Sequence, residues 1–169
     1  MFPLLLSHAL AAEPAASQHL YLGAALPLAG GGVSSTGDTL LLLDLAPVAL
    51  EWRLSPTWGL RLDGDADYLL STSGNSWRGG SVRMSGLHYF GRAAATDGMT
   101  GFFLGPVAGA GFADGVAPRP LVGAAFGYSG ALGPRLRWRT GLDGTVGFAG
   151  QTPTPELHVT LFEVGGFVF

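Results

Sequence analysis

Trp58-Gly59-Leu60-Arg61-Leu62-Asp63-Gly64-Asp65-Ala66-Asp67-Tyr68-Leu69-Leu70 divides by parity into two faces of opposite chemistry. Even positions carry Trp58, Leu60, Leu62, Gly64, Ala66, Tyr68 and Leu70, while odd positions carry Gly59, Arg61, Asp63, Asp65, Asp67 and Leu69. A period of two is the signature of a strand with unlike environments on its two sides. Residues 135–148 repeat the split, with Leu136, Trp138, Thr140, Leu142, Gly144, Val146 and Phe148 opposed to Arg135, Arg137, Arg139, Gly141, Asp143, Thr145 and Gly147.

Turn-forming clusters cut the chain around these stretches at near-regular intervals. The runs between them are 19–28, 39–54, 58–70, 81–92, 100–112, 121–132, 135–150 and 156–169. Each is long enough for a tilted membrane strand, which needs about 9–11 residues. The odd-numbered connections (29–38, 71–80, 113–120 and 151–155) are rich in Gly, Ser, Thr, Asn and Pro. Of the others, Ser55-Pro56-Thr57 and Gly133-Pro134 are tight, and 93–99 is longer. Short turns at one end opposite longer loops at the other are a feature of outer-membrane barrels, and an even strand number returns both termini to one side.

Composition narrows the class further. The 169 residues are 47% hydrophobic and only 12% charged, with 28 glycines and no cysteine, at a mean hydropathy of +0.34. A globular sequence is about a quarter charged and about 7% glycine, so an ordinary water-facing surface is excluded. The longest apolar run, 40–50, contains Asp44 and Pro47 and is far short of the ~20 residues of a spanning helix. Lipid admits only helices and closed barrels as spanning structures. The sequence therefore predicts an all-β protein, an eight-stranded antiparallel up-and-down transmembrane β-barrel. A net charge of −3 with nine arginines and no lysine gives no basic stripe for nucleic acid. Absence of cysteine removes disulfides, thiolate nucleophiles and cysteine zinc sites, and no metal or cofactor motif is found.

Which face meets lipid decides function. Trp52, Trp58 and Trp138, three of the four tryptophans, border tight turns at one level, as an interfacial aromatic girdle would. The chain ends Gly165-Gly166-Phe167-Val168-Phe169, which places Phe167 and Phe169 on one face. This ending resembles the C-terminal signal that the insertion machinery of bacterial outer membranes reads. Together with strand count and alternation, it makes residues 18–169 similar to the small eight-stranded outer-membrane barrels of the OmpA/OmpX type. The resemblance implies the bacterial outer membrane of a Gram-negative cell as location, a monomer, the lipid bilayer and the insertion machinery as partners, and an outward, interfacial position for Phe167 and Phe169. Residues 1–17, with a small-x-small Ala9-Leu10-Ala11 pattern, read as a signal peptide or a lead-in without fixed structure.

Eight strands enclose an interior just wide enough for side chains to fill. The inward charges are then Glu51, Arg53, Arg61, Asp63, Asp65, Asp67, Arg83, Arg137, Arg139 and Asp143, a balanced set that predicts a plugged lumen and no open pore. Asp63, Asp65 and Asp67 are expected to face Arg135, Arg137 and Arg139 across it. Asp44 and Glu163 fall on the lipid face by parity, unless β-bulges near Pro47 and near Gly165-Gly166 return them inward. Two other readings remain. A lipid-modifying enzyme of the deacylase or acyltransferase type needs a nucleophile beside an oriented histidine, and His158 shares a face with Thr160 while Glu163 has the opposite parity. A soluble, lipocalin-like ligand-binding barrel would reverse the faces. The outer connections hold Asn75, Trp77, Arg78, Asp114 and Arg119 and read first as plain connections, with contact to lipopolysaccharide or a partner surface as the alternative.

Overall fold

A computed structural model describes residues 20–25, 28–33, 39–44, 48–72, 76–90, 99–113, 115–149 and 152–167. The expected leader 1–17 and Phe169 lie outside the described residues, as do the side chains of Asp44 and Asp67. The strand segments are β1 (Leu20–Ala25), β2 (Leu28–Val33), β3 (Thr39–Asp44), β4 (Val48–Ser55), β5 (Trp58–Ser71), β6 (Ser76–Phe90), β7 (Gly101–Ala113), β8 (Val116–Ala131), β9 (Leu136–Ala149) and β10 (Thr152–Phe167). β1 and β2 form one path along β10, with Tyr21 opposite Phe167 and His158 opposite Gly30. β3 and β4 likewise form one path along β5. Ten segments thus make eight antiparallel strands, and pairing of β1 with β10 closes them into a ring.

Strands run further into one end than turn chemistry predicts. β2 reaches Val33, β6 starts at Ser76, β8 at Val116 and β10 at Thr152, so strand enters each of the connections 29–38, 71–80, 113–120 and 151–155. Pairing partners on both sides outweigh the weak strand preference of Gly, Ser and Pro. Arg119, expected in a loop, sits in β8 opposite Gly111.

Besides shifts near strand ends at Arg53/Ser55 and Gly111/Ala113, two registers carry an extra residue within the wall. Between β9 and β10 the pairing shifts from Thr160↔Gly141 to Glu163↔Arg139. Between the second strand and β5 it passes from Asp44↔Asp67 to Val48↔Gly64, four steps against three. A bulge of this kind reverses which face the following residues use. The first lies nearer Thr160 than the Gly165-Gly166 expected from sequence, and its consequence is different. It turns Glu163 inward and takes Phe167 inward with it, since both keep the same parity beyond the shift; Glu163 is 2% exposed and Phe167 7%.

Alternation is sharpest in β7, where Phe102 is 55% exposed and its neighbour Phe103 only 1%. Leu22, Trp52, Leu62, Met84, Leu104 and Phe126 share the outward face as exposed apolar side chains. Inside, Tyr21, Leu87, Tyr89, Met99, Phe103, Val107, Ala125 and Phe167 form one apolar cluster, so the interior is only partly polar.

Ring closure has a direct test, because the chain has no cysteine of its own. Ala24 and Val164 are directly opposed at the β1–β10 seam, and such pairs have Cα atoms about 4.5–5.5 Å apart, within the span of a disulfide. The double variant Ala24→Cys/Val164→Cys is expected to cross-link on mild oxidation, read as a mobility change on a non-reducing gel. The off-register pair Ala24→Cys/Gly166→Cys is expected to stay open.

Candidate functional site

Four charged side chains meet inside the ring. Glu51 on β4 is directly opposite Arg61 on β5, and Glu163 on β10 is directly opposite Arg139 on β9. The shortest contacts cross over to the other pair. Arg61 Nη1 and Nη2 donate to Glu163 Oε1 and Oε2 at 3.0 and 2.6 Å, while Arg139 Nη1 donates to Glu51 Oε2 at 2.9 Å. Arg61 also stands 3.7 Å from Glu51, which completes a closed set. Two tyrosines supply further donors: Tyr21 Oη to Glu163 Oε1 at 3.1 Å and Tyr89 Oη to Glu51 Oε1 at 2.5 Å. Arg61 Nε donates to Asp63 Oδ1 at 2.7 Å.

These contacts pass above the first strand, where bulk is absent. A Cβ on Gly23 would overlap Glu163 and the Tyr21 ring, and a Cβ on Gly59 would overlap Glu51. Arg139 lies over the Phe103 ring, 3.8 Å from its centroid, and that ring in turn covers Gly127 and Gly141.

Towards the other end, Arg83 Nη2 donates to Asp65 Oδ2 at 2.6 Å, and Ser81 N and Oγ donate to the same carboxylate at 2.5 and 2.8 Å. Arg83 Nη1 also lies 3.7 Å from Asp143. Beyond them Arg119 is paired with Glu156, and His158 Nε2 lies 3.7 Å from the same carboxylate. Polar groups thus form successive tiers along the interior.

The expected facing of Asp63 and Asp65 against Arg135, Arg137 and Arg139 is corrected, while the Asp67 side chain lies outside the described residues. Asp63 pairs within its own strand and Asp65 with the adjacent one, because an aspartate is too short to reach mid-ring. Arg139 meets the longer Glu51 instead. Arg137 turns to the Gly133 and Leu136 carbonyls at 2.8 and 3.0 Å and stacks on Phe167. Arg135 is exposed in the turn before β9, and Arg53 is half-buried. Glu163, Tyr21, Tyr89, Arg119 and Glu156 belong to the interior set although parity reading did not select them. Odd parity shared with Arg83 was a usable signal for Tyr89.

On the outward face Trp58, His88 and Phe90 stack in sequence, as do Phe102, Tyr128, Trp138 and Phe162. With exposed Trp52 they mark the end bearing the connections 56–57, 91–100 and 132–135. Phe167, expected in this girdle, is instead inside against Tyr21. His88 is therefore a wall residue, and His158 lies inside beside Glu156.

A closed ring of eight antiparallel strands, apolar outside and charged within, defines the fold of the small outer-membrane β-barrels. Among solved structures the chain is similar to Neisserial surface protein A, an eight-stranded outer-membrane barrel, at 13% identity and a TM-score of 0.67, over 88% of this chain and 96% of that one. It also matches a designed transmembrane β-barrel at 12% identity and a TM-score of 0.43, over 88% and 95% of the two chains. No protein-family model and no curated protein sequence matches the chain.

Removing one member of the crossed set should be costly. Glu163→Ala strips Arg61 of its bidentate partner and is expected to destabilise the barrel by about 3–5 kcal/mol, measured by urea unfolding in detergent micelles. An apolar replacement that also removes the other carboxylate held by Arg61, Arg61→Met/Asp63→Leu/Glu163→Leu, is expected to restore most of that loss.

Proposed function

We propose that this protein is an integral barrel of the bacterial outer membrane whose own side chains close its lumen, with a structural or surface-interaction role in place of transport or catalysis. The inversion of the two faces carries the reading. Arg61, Arg83, Arg137, Arg139, Glu51 and Glu163 are buried, while Leu22, Val82, Met84, Phe102, Leu104 and Phe126 are about half exposed. In water that arrangement would forfeit the hydrophobic effect on every outward side chain. Against lipid it forfeits nothing.

Closure is supported at the girdle end. The void among Tyr21, Glu51, Tyr89, Met99, Ser129, Arg137 and Arg139 measures about 10 Å³, room for about one water. Met99 reaches it from the connection after β6 with a left-handed φ of 54°, an unusual conformation for a non-glycine residue, and is 3% exposed. The bilayer and the insertion machinery are the partners this reading requires, and a single chain suffices because the ring closes on itself.

Detergent-folded protein is expected to migrate faster on a gel when unheated than when boiled, and to show little steady conductance in planar bilayers. Reproducible large single-channel steps would overturn the closed lumen. On the outward wall, Leu62→Arg is expected to cost about 2–4 kcal/mol of folding free energy in bilayers, because Leu62 lies midway along β5; Trp58→Arg, at the girdle, is expected to cost about 0–1 kcal/mol for its charge.

A further inference from the structure

Arg78 is, among the described residues, the charged side chain on the outward face of a strand. It is exposed, opposes the outward Tyr68 across β5–β6, and has no ion-pair partner among the described residues. Ten residues separate Trp58 from Tyr68 on β5. At about 3.3 Å per residue and a tilt of about 40°, that is about 25 Å of height, the height of the apolar band in such barrels. With Trp58 and His88 at one interface, Tyr68 and Arg78 stand at the headgroup level of the opposite leaflet.

Beside Arg78 the wall has a dent. Gly80 contributes no side chain, and the crevice over it, about 350 Å³, is bordered by Arg78, Val82 and Phe112 with backbone of the adjoining strands beneath. Val82 and Phe112 are 49% and 46% exposed, so its outward side chains are apolar, Arg78 stands at its rim, and Asp65 and Ser81 complete the lining. A guanidinium at headgroup height with no ion-pair partner among the described residues is a fork of donors suited to phosphate oxygens.

We propose that this crevice binds a phosphorylated lipid of the outer leaflet, its phosphate on Arg78 and the first part of an acyl chain against Val82 and Phe112. This rests on the membrane reading above and names the lipid class that the wall prefers. The outward Tyr68 hydroxyl, at the same height on the neighbouring strand, is positioned for the polar part of the same headgroup. Arg135 is exposed at the other end of the barrel with no comparable crevice described beside it, which makes it the control cation.

The test is native mass spectrometry of the full chain released from phosphatidylcholine nanodiscs doped with diphosphoryl lipid A or, in parallel, with its dephosphorylated form. Wild type is expected to retain the phosphorylated lipid preferentially. Arg78→Gln should lower that retention about tenfold, the worth of one charge-assisted hydrogen bond, and Phe112→Ala should weaken both lipids alike. Arg135→Gln should change nothing. Equal retention of the two lipids, or unchanged retention in Arg78→Gln, overturns the proposal. Displacement of the lipid by inorganic phosphate alone would show a free-anion site and overturn it too. Failure of the wild-type chain to enter nanodiscs would instead sink the membrane reading, so the two outcomes are distinct.

Discussion

Glu51 and Glu163, each 2% exposed, place the strongest demand on this structure. A carboxylate removed from water costs several kcal/mol unless paired and hydrogen-bonded. Their partners come from the far side of the first strand: Arg139 for Glu51 and Arg61 for Glu163. Because each guanidinium reaches over that strand, the set ties β4 and β5 to β9 and β10 across the seam where the ring closes. Gly23 and Gly59 leave the volume this needs. Tyr21 and Tyr89 satisfy lone pairs that the arginines leave over.

The same demand accounts for the bulges. Without the extra residue after Thr160, Glu163 would face outward and Arg61 would lose its bidentate partner, since one step of register reverses a strand's faces. An extra residue confined to β10 would break its pairing with both neighbours. Here the first strand stays in step with β10 from Tyr21↔Phe167 to His158↔Gly30, and with the second strand from Leu20↔Trp52 to Leu28↔Asp44. Three adjacent strands share the additional residue, and among the described residues the register offset it causes falls at the two borders of that group. The border with β5 falls between Asp44 and Val48.

Glycine and size alternation solve the remaining packing problem. An eight-stranded interior has no room for large side chains facing one another from every strand, so bulk on one strand meets its absence on another. Phe103 covers Gly127 and Gly141, Arg119 lies against Gly111 and Gly147, and Tyr21 covers Gly165. Ladder bonds need no side chain, so a glycine there weakens packing of its own residue while admitting a neighbour's. Gly111, Gly127, Gly141, Gly147 and Gly165 thus follow from filling a narrow ring with arginines and aromatics.

Local periodicity reached the fold because β5 and β9 alternate without interruption, and a two-residue period needs no knowledge of neighbours. It could assign Arg61 or Arg139 to a face. It could not choose their partners, because that choice depends on stagger between strands and on side-chain reach. Aspartates at 63 and 65 are short and stay near their own wall, whereas glutamates at 51 and 163 extend to the middle. Parity counted back from the chain end failed at Phe167 for a related reason. A bulge leaves no mark in composition, and the residues around Thr160 look like any other strand. The mark of the bulge is chemical: a carboxylate at 163 that unbroken parity would put on a lipid face. An unpaired charge in an impossible place is better evidence for a register shift than any local preference, because its desolvation cost exceeds the cost of one lost ladder bond.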